Sequence, residues 1–199
     1  MNKNLSIRKI ASIGVLGALG GILMIIDFPI FIAPSFYKLD LGDLPCLIGS
    51  FAMGPTSAFF IQLVKIIVKL LIKPTSTAFV GEIAAFCFST IFCVSASIIY
   101  KNNHNKKGAI KAMAIASLIY VLFACLGNYF VIIPAYVELY KMPLEAIISA
   151  GTQIFPIIHN KLSFVIYCVM PFNLIKIVII DILTLILYKR ISPLLNRYK

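Results

Sequence analysis

Ala112-Met-Ala-Ile-Ala-Ser-Leu-Ile-Tyr-Val-Leu-Phe-Ala-Cys-Leu-Gly-Asn-Tyr-Phe-Val-Ile-Ile-Pro-Ala-Tyr-Val137 contains no Asp, Glu, Lys or Arg. About 20 apolar residues are enough to cross a hydrocarbon core roughly 30 Å thick, and this run is longer than that. Lipid offers backbone N–H and C=O groups no partner, so such a run must be helical. Three further stretches, Ile10–Ile26, Leu44–Val64 and Ile83–Tyr100, are equally free of charge. Across the 199 residues 61% are hydrophobic and 13% charged, too little polar surface to clothe a soluble globule. The alternation expected of a membrane β-barrel is missing. Ile10–Ile26 follows a basic segment (Lys3, Arg8, Lys9), as the core of a cleaved leader would. Its apolar run is long for a leader, however, and no small-residue cleavage site precedes Asp27, so it reads as a first span.

The charges divide the chain by side. Lys3, Arg8 and Lys9, then Lys101, Lys106, Lys107 and Lys111, then Lys189, Arg190, Arg197 and Lys199 hold eleven of the 18 basic residues and no acid. The remainder carries seven bases and seven acids, so the whole +11 excess lies in three clusters. The positive-inside rule makes them cytoplasmic without any need for nucleic-acid binding. An even number of crossings must separate consecutive clusters. The expected crossings are Ile10–Ile26, Leu44–Met53, Thr56–Ile72, Phe79–Tyr100, Ala112–Ile133 and Pro171–Tyr188. Leu44–Met53 is too short to cross alone and reads as a part-span supported by its neighbours, ended by a tight turn at Gly54-Pro55. The expectation is an all-α integral membrane protein in one transmembrane domain, 1–199, with six helices and both termini cytoplasmic. Asp27–Asp43, Lys73–Ala78 and Pro134–Met170 become outer connections. In the last, Pro143–Phe155 is expected as a surface helix and Leu162–Met170 as a segment dipping back into the protein.

Enzyme signatures are scarce. His104 and His159 form no local metal motif, and H-E-x-x-H, G-x-S-x-G and the P-loop are all missing. Cys46, Cys87, Cys93, Cys125 and Cys168 are scattered singly, as buried inert thiols rather than disulfides or metal ligands. Polar groups inside apolar helices carry more information, because lipid makes them costly. Asn173 and Lys176 stand three residues apart and share a helix face. They offer donors and an acceptor to a polar heterocycle edge or a polyol; the alternative is a helix cap and a snorkelling lysine. Asn128 either bonds between helices or faces a ligand. Lys65, Lys69 and Lys73 recur every four residues as a snorkelling or ion-paired stripe, with Glu82 the nearest partner in sequence, or as a draw on anionic ligands. Asp181 lies about 14 Å along the last helix from Phe172, where it should be paired or protonated. Gly14-x-x-x-Ala18 and Gly17-x-x-x-Gly21 let the first span approach another helix, in this chain or in a partner.

Four segments resemble a known family, the substrate-binding S components of energy-coupling-factor (ECF) transporters, and within it the riboflavin-specific branch. They are Lys38-Leu-Asp-Leu-Gly-Asp-Leu-Pro45 with Ile48–Pro55; Val80-Gly-Glu82; Asn128-Tyr-Phe-Val-Ile-Ile-Pro-Ala-Tyr136; and Pro171-Phe-Asn-Leu-Ile-Lys176 leading to Tyr188–Pro193. The resemblance implies the S-component fold in the cell membrane and no enzymatic activity. It implies riboflavin as the transported ligand, bound near the outer face by Leu39, Asp40, Leu41, Asn128, Asn173 and Lys176. No cofactor is expected, although the lysine stripe leaves room for riboflavin phosphate (FMN) as a ligand. Delivery would require a transmembrane coupling protein and two cytoplasmic ATPases. The family docks through an Ala-x-x-x-Ala pattern on the first helix; here Ala11 is followed by Val15, and Gly14/Ala18 is the nearest small pair. Two other readings stay open: an S component for another vitamin or heterocycle, and a self-sufficient secondary transporter coupled through Asp181.

Overall fold

Gly54 adopts φ +90°, a backbone conformation that glycine tolerates and side-chain-bearing residues rarely do. It ends α2 (Asp43–Met53), and Pro55 opens α3 (Pro55–Ile72) in the first turn, where a missing N–H costs nothing. The computed structural model describes residues 7–195. Before this turn come α1 (Ile7–Ile25) and a short antiparallel hairpin, β1 (Phe28–Pro29) paired with β2 (Lys38–Leu39). After it come α4 (Val80–Tyr100), α5 (Lys106–Gly127), α6 (Ile133–Glu138), α7 (Leu144–Thr152), α8 (Lys161–Phe164) and α9 (Met170–Leu195). Asn105 starts α5 by accepting the Gly108 N–H at 2.7 Å. Asn160 and Ser163 form a reciprocal capping box that starts α8.

Single π-helical turns, Asn128–Ile132 and Val165–Val169, join α5 to α6 and α8 to α9. Each turn is followed two residues later by a proline, Pro134 or Pro171. A proline cannot donate to the carbonyl four residues back, and its ring collides with it. The wider turn relieves that conflict without ending the helix. Lys106–Glu138 and Lys161–Leu187 therefore run as long helices, and with α1, α3 and α4 they make five long and apolar enough to cross a membrane. Leu44–Met53, expected as a part-span too short to cross alone, is the eleven-residue α2. One expectation is corrected here: Leu162–Met170 belongs not to a connection but to the first turns of the last long helix, with Phe164, Val165, Cys168 and Val169 buried in the protein. Pro143–Phe155 does contain a helix, α7, with Ile147 turned into the protein.

α2 survives at this length because it is enclosed by α1, α3, α4 and α9, and Cys46, Leu47 and Ser50 have no exposed surface. α1 lies closely along α3. A Cβ at Gly17 would sit 2.6 Å from Val64 Cβ, and one at Gly21 would sit 2.8 Å from Val68 Cβ. Gly17-x-x-x-Gly21 is thus an internal packing face. Gly14 has open space around it and Ala11 is exposed. Large apolar side chains such as Val15, Leu118 and Ile186 point outward, as expected where lipid is the solvent. All five cysteines are free, and Cys87 is exposed rather than buried. Lys3, Arg197 and Lys199 of the terminal basic clusters lie outside the described residues.

Candidate functional site

The hairpin end of the bundle holds a cavity of about 330 Å³, inside the roughly 300–1,000 Å³ range of small-molecule sites. Phe36 and Tyr37 of the hairpin segment close one side; α3 and α4 supply a second wall, and the α5 and α9 helices a third. Asp40, Asn128, Asn173 and Lys176, all expected from the sequence, line it. Leu39 and Leu41 do not. Leu39 is buried beneath the hairpin, and Leu41 packs on the core beside it. A second hollow, lined by Lys106, Ile182, Leu185 and Ile186, lies toward the start of α5 and the later turns of α9 and gathers no comparable set of polar groups.

The polar wall is preorganised by its own hydrogen bonds. The Asn128 and Asn173 amides each donate to the carbonyl one turn back, Ala124 and Val169, at 2.8 Å. Tyr37 donates to Asn128 Oδ1 at 2.7 Å, and Tyr120 to Asn173 Oδ1 at 2.9 Å. Each amide retains one N–H and one lone pair after these bonds. Burial raises the Tyr37 phenol above its usual range, with Tyr136 and the thiols Cys168 and Cys125 adding to the effect, so Tyr37 remains a donor. Lys176 Nζ donates to Asp40 Oδ2 at 2.9 Å and stands 3.5 Å from Asp43 Oδ2. Asp40 Oδ1 meanwhile accepts the Gly42 N–H at 2.8 Å. The lysine therefore ties the hairpin exit to α9.

All three stripe lysines are ion-paired, each to a different element. Lys65 meets Asp43 at 2.6 Å, Lys69 meets Glu82, and Lys73 meets Asp27 at 3.0 Å. Exposure rises along α3 from 1% for the Lys65 side chain to 42% for Lys73, so the stripe runs from the core to the cavity mouth. Glu82, the nearest acid in sequence, serves only the middle lysine. Asp181 accepts from Ser117 at 2.7 Å, away from this cavity. His159 is exposed, and His104 stacks edge-on against Tyr100. No metal-holding cluster occurs among the described residues.

Sequence reasoning missed the aromatic lining. Tyr37 packs on Phe172 with ring centroids 5.2 Å apart and on Phe36 at 5.1 Å; Tyr120 and Tyr136 also face the cavity. With 15 phenylalanines and 9 tyrosines in the chain, nothing marks these five out except the position of Phe36-Tyr37 immediately before the Lys38–Pro45 segment. A broad apolar slot edged by amides and one ammonium can hold a flat heterocycle.

Comparison with known proteins decides the family. The ECF transporter, substrate-specific component family matches residues 8–188. The chain belongs to that family. This S component is 29% identical over 190 residues to the riboflavin transporter RibU of Staphylococcus aureus (strain TCH60), covering 96% of this chain and 93% of that protein. The riboflavin transporter FmnP of Bacillus subtilis (strain 168) is 21% identical over 196 residues, with 98% and 97% covered. A solved S component of a bacterial ECF transporter superposes with a TM-score of 0.71 at 30% identity, covering 94% of this chain and 97% of that one. The protein is a multi-pass membrane transport component.

Proposed function

We propose that this S component captures riboflavin in the hairpin-end cavity, at the outer face of the cell membrane. It delivers the vitamin with an ECF module of one transmembrane coupling protein and two cytoplasmic ATPases. The observation that carries the reading is the meeting of Asp40, Asn128, Asn173 and Lys176 on one aromatic-lined cavity, in a family whose named relatives include riboflavin transporters. The isoalloxazine ring lies among Phe36, Tyr37 and Phe172. Its pyrimidine edge meets the free N–H and lone pair of Asn128 and Asn173, and Lys176 donates to a carbonyl. Leu39 and Leu41 act by holding the hairpin backbone in place beside Asp40. Because Lys65, Lys69 and Lys73 are each committed to an acid, the stripe favours neutral riboflavin over FMN.

The chain crosses the membrane six times as one domain, with α2 and α3 joined at Gly54 and α2 completing its crossing inside the bundle. The three basic clusters then face the cytoplasm, and both termini lie there. The outward small pair Gly14/Ala18, with Ala11 one turn earlier, offers the coupling protein a flat track on α1. The purified protein should carry a yellow flavin or bind added riboflavin saturably, and uptake in cells should require the ATPase module. Saturable binding of another heterocycle with none of riboflavin would reassign the ligand. Uptake without ATPases would favour the secondary-transporter reading through Asp181.

A further inference from the structure

α5 begins where the chain is densely basic. Lys101, Lys106, Lys107 and Lys111 fall within eleven residues, and no acid occurs between Glu82 and Glu138. The first turn of α5 holds no carboxylate, and its start is capped by the neutral amide of Asn105. Lys106 and Lys107 therefore add to the positive end of the helix dipole instead of offsetting it. Lys106 makes no ion pair among the described residues, whereas Lys38, Lys65, Lys69, Lys73 and Lys176 all do. The positive-inside rule accounts for the number of lysines, but not for where Lys106 stands. It lines the second hollow, of about 360 Å³, together with Ile182, Leu185 and Ile186.

These three apolar residues follow the i, i+3, i+4 spacing and so form one strip along α9. Ile182 and Ile186 are 51% and 67% exposed, in a helix whose solvent is lipid. One residue before the strip, Asp181 accepts from Ser117 at 2.7 Å and ties α9 to α5. The hollow lies beyond that tie. Along α5, Tyr120 and Asn128 of the hairpin-end cavity are on one side of Ser117 and Lys106 is on the other; along α9, Asn173 and Lys176 precede Asp181 and the strip follows it. The hollow is thus separate from the cavity. An apolar strip ending at an ammonium group has the layout of a phospholipid, with an acyl chain at one end and a charged headgroup at the other. A lysine beside such a strip rests its methylenes on apolar surface and carries its charge to the headgroup level. A soluble anion would leave the isoleucines unused, and a neutral lipid would leave the ammonium unmatched. We propose that the hollow between α5 and α9 binds one anionic phospholipid. Its acyl chain lies along Ile182, Leu185 and Ile186, and its phosphate accepts from Lys106. The lipid supplies the anion that the start of α5 lacks.

The chain contains no tryptophan, so one introduced at the hollow reports on that place alone. The full chain carrying Ile186→Trp is reconstituted in vesicles of phosphatidylcholine and phosphatidylglycerol, with dibrominated acyl chains on one lipid or the other to quench the indole. Quenching should reveal a preference of about fivefold for phosphatidylglycerol, the effect of one lysine attracting an anionic lipid at the membrane surface. Ile182→Trp, one turn away, should give the same result. Adding Lys106→Gln should abolish the preference, and adding Lys107→Gln should leave most of it. Leu118→Trp, exposed on α5 but far along it from Lys106, should show none. Monodisperse elution of each variant in detergent certifies its fold. Equal quenching by the two lipids at both reporter positions overturns the site. So does a preference that Lys107→Gln lowers as much as Lys106→Gln, which is the mark of diffuse surface attraction. If neither reporter prefers a lipid and both become shielded when the coupling protein binds, the hollow belongs to that protein and the lipid site falls.

Discussion

Asp43 has no exposed surface, yet it takes hydrogen bonds from Lys65, Gln62 and Ser89 and lies beside Lys176. With Asp40 this makes two carboxylates and two ammonium groups in the interior, with no net charge. Removing one member leaves an uncompensated buried charge at a cost of about 3–5 kcal/mol, whereas removing a matched pair costs far less. Lys176→Met should therefore lower the thermal midpoint in detergent sharply, and Lys176→Met with Asp40→Asn should recover most of it without recovering flavin binding. A double variant as unstable as the single one would show that the pair is not coupled. Tyr37 supplies a pH test. Its phenol is raised in the fold above the ordinary value of 10.0, so the unfolded chain ionises first as pH climbs. The contribution to stability is complete below about pH 10 and declines above it. Tyr37→Phe should flatten that alkaline decline and, by removing the hydrogen bond to Asn128, weaken riboflavin severalfold. An unchanged decline would place its cause elsewhere.

α1 carries two interleaved patterns of small residues with different neighbours. Gly17 and Gly21 meet α3 at distances that leave no room for a Cβ, while Gly14 has open space. Gly17→Leu should therefore abolish stable folding, read as aggregation in size-exclusion chromatography. Gly14→Leu should fold and bind riboflavin, yet fail to co-purify with the coupling protein. If Gly14→Leu still co-purifies, the docking track lies on another face. The π turns make a second point about elements. Pro134 and Pro171 suggest helix ends in the sequence, which is why the long connection was expected to run from 134 to 170. The chain instead widens one turn before each proline and continues, so Asn128 and Asn173 stand next to widened turns on two helices that both wall the cavity. Nor was the Asn160–Ser163 cap anticipated, because it lies within a segment expected to be a connection.

For the whole molecule, the sequence was most informative where lipid imposes a large penalty. Charge-free runs locate the long helices, and amides or ammonium groups inside them locate Asn128, Asn173 and Lys176. It was less informative where the answer depends on which surfaces meet. α2 was legible as a short, supported part-span, but not which helices, α1, α3, α4 and α9, would enclose it. Lys65 finds Asp43 and Lys73 finds Asp27, 22 and 46 residues away, pairings that no local spacing announces. The cavity aromatics were hidden among the chain's two dozen phenylalanines and tyrosines. Topology has a whole-molecule test: a single cysteine introduced at Asn103 in a cysteine-free background should react with an impermeant maleimide only after the membrane is opened, and one at Gln153 should react in intact cells. The central claim is that the amides of two helices, brought together at one end of the bundle, hold a flat vitamin. Equilibrium titration of the purified protein with riboflavin, read by quenching of flavin fluorescence, tests it most directly. The account predicts saturation at one flavin per chain, with affinity reduced on the order of a hundredfold or more when Asn128→Ala and Asn173→Ala are combined. Undiminished binding by that double variant would contradict it.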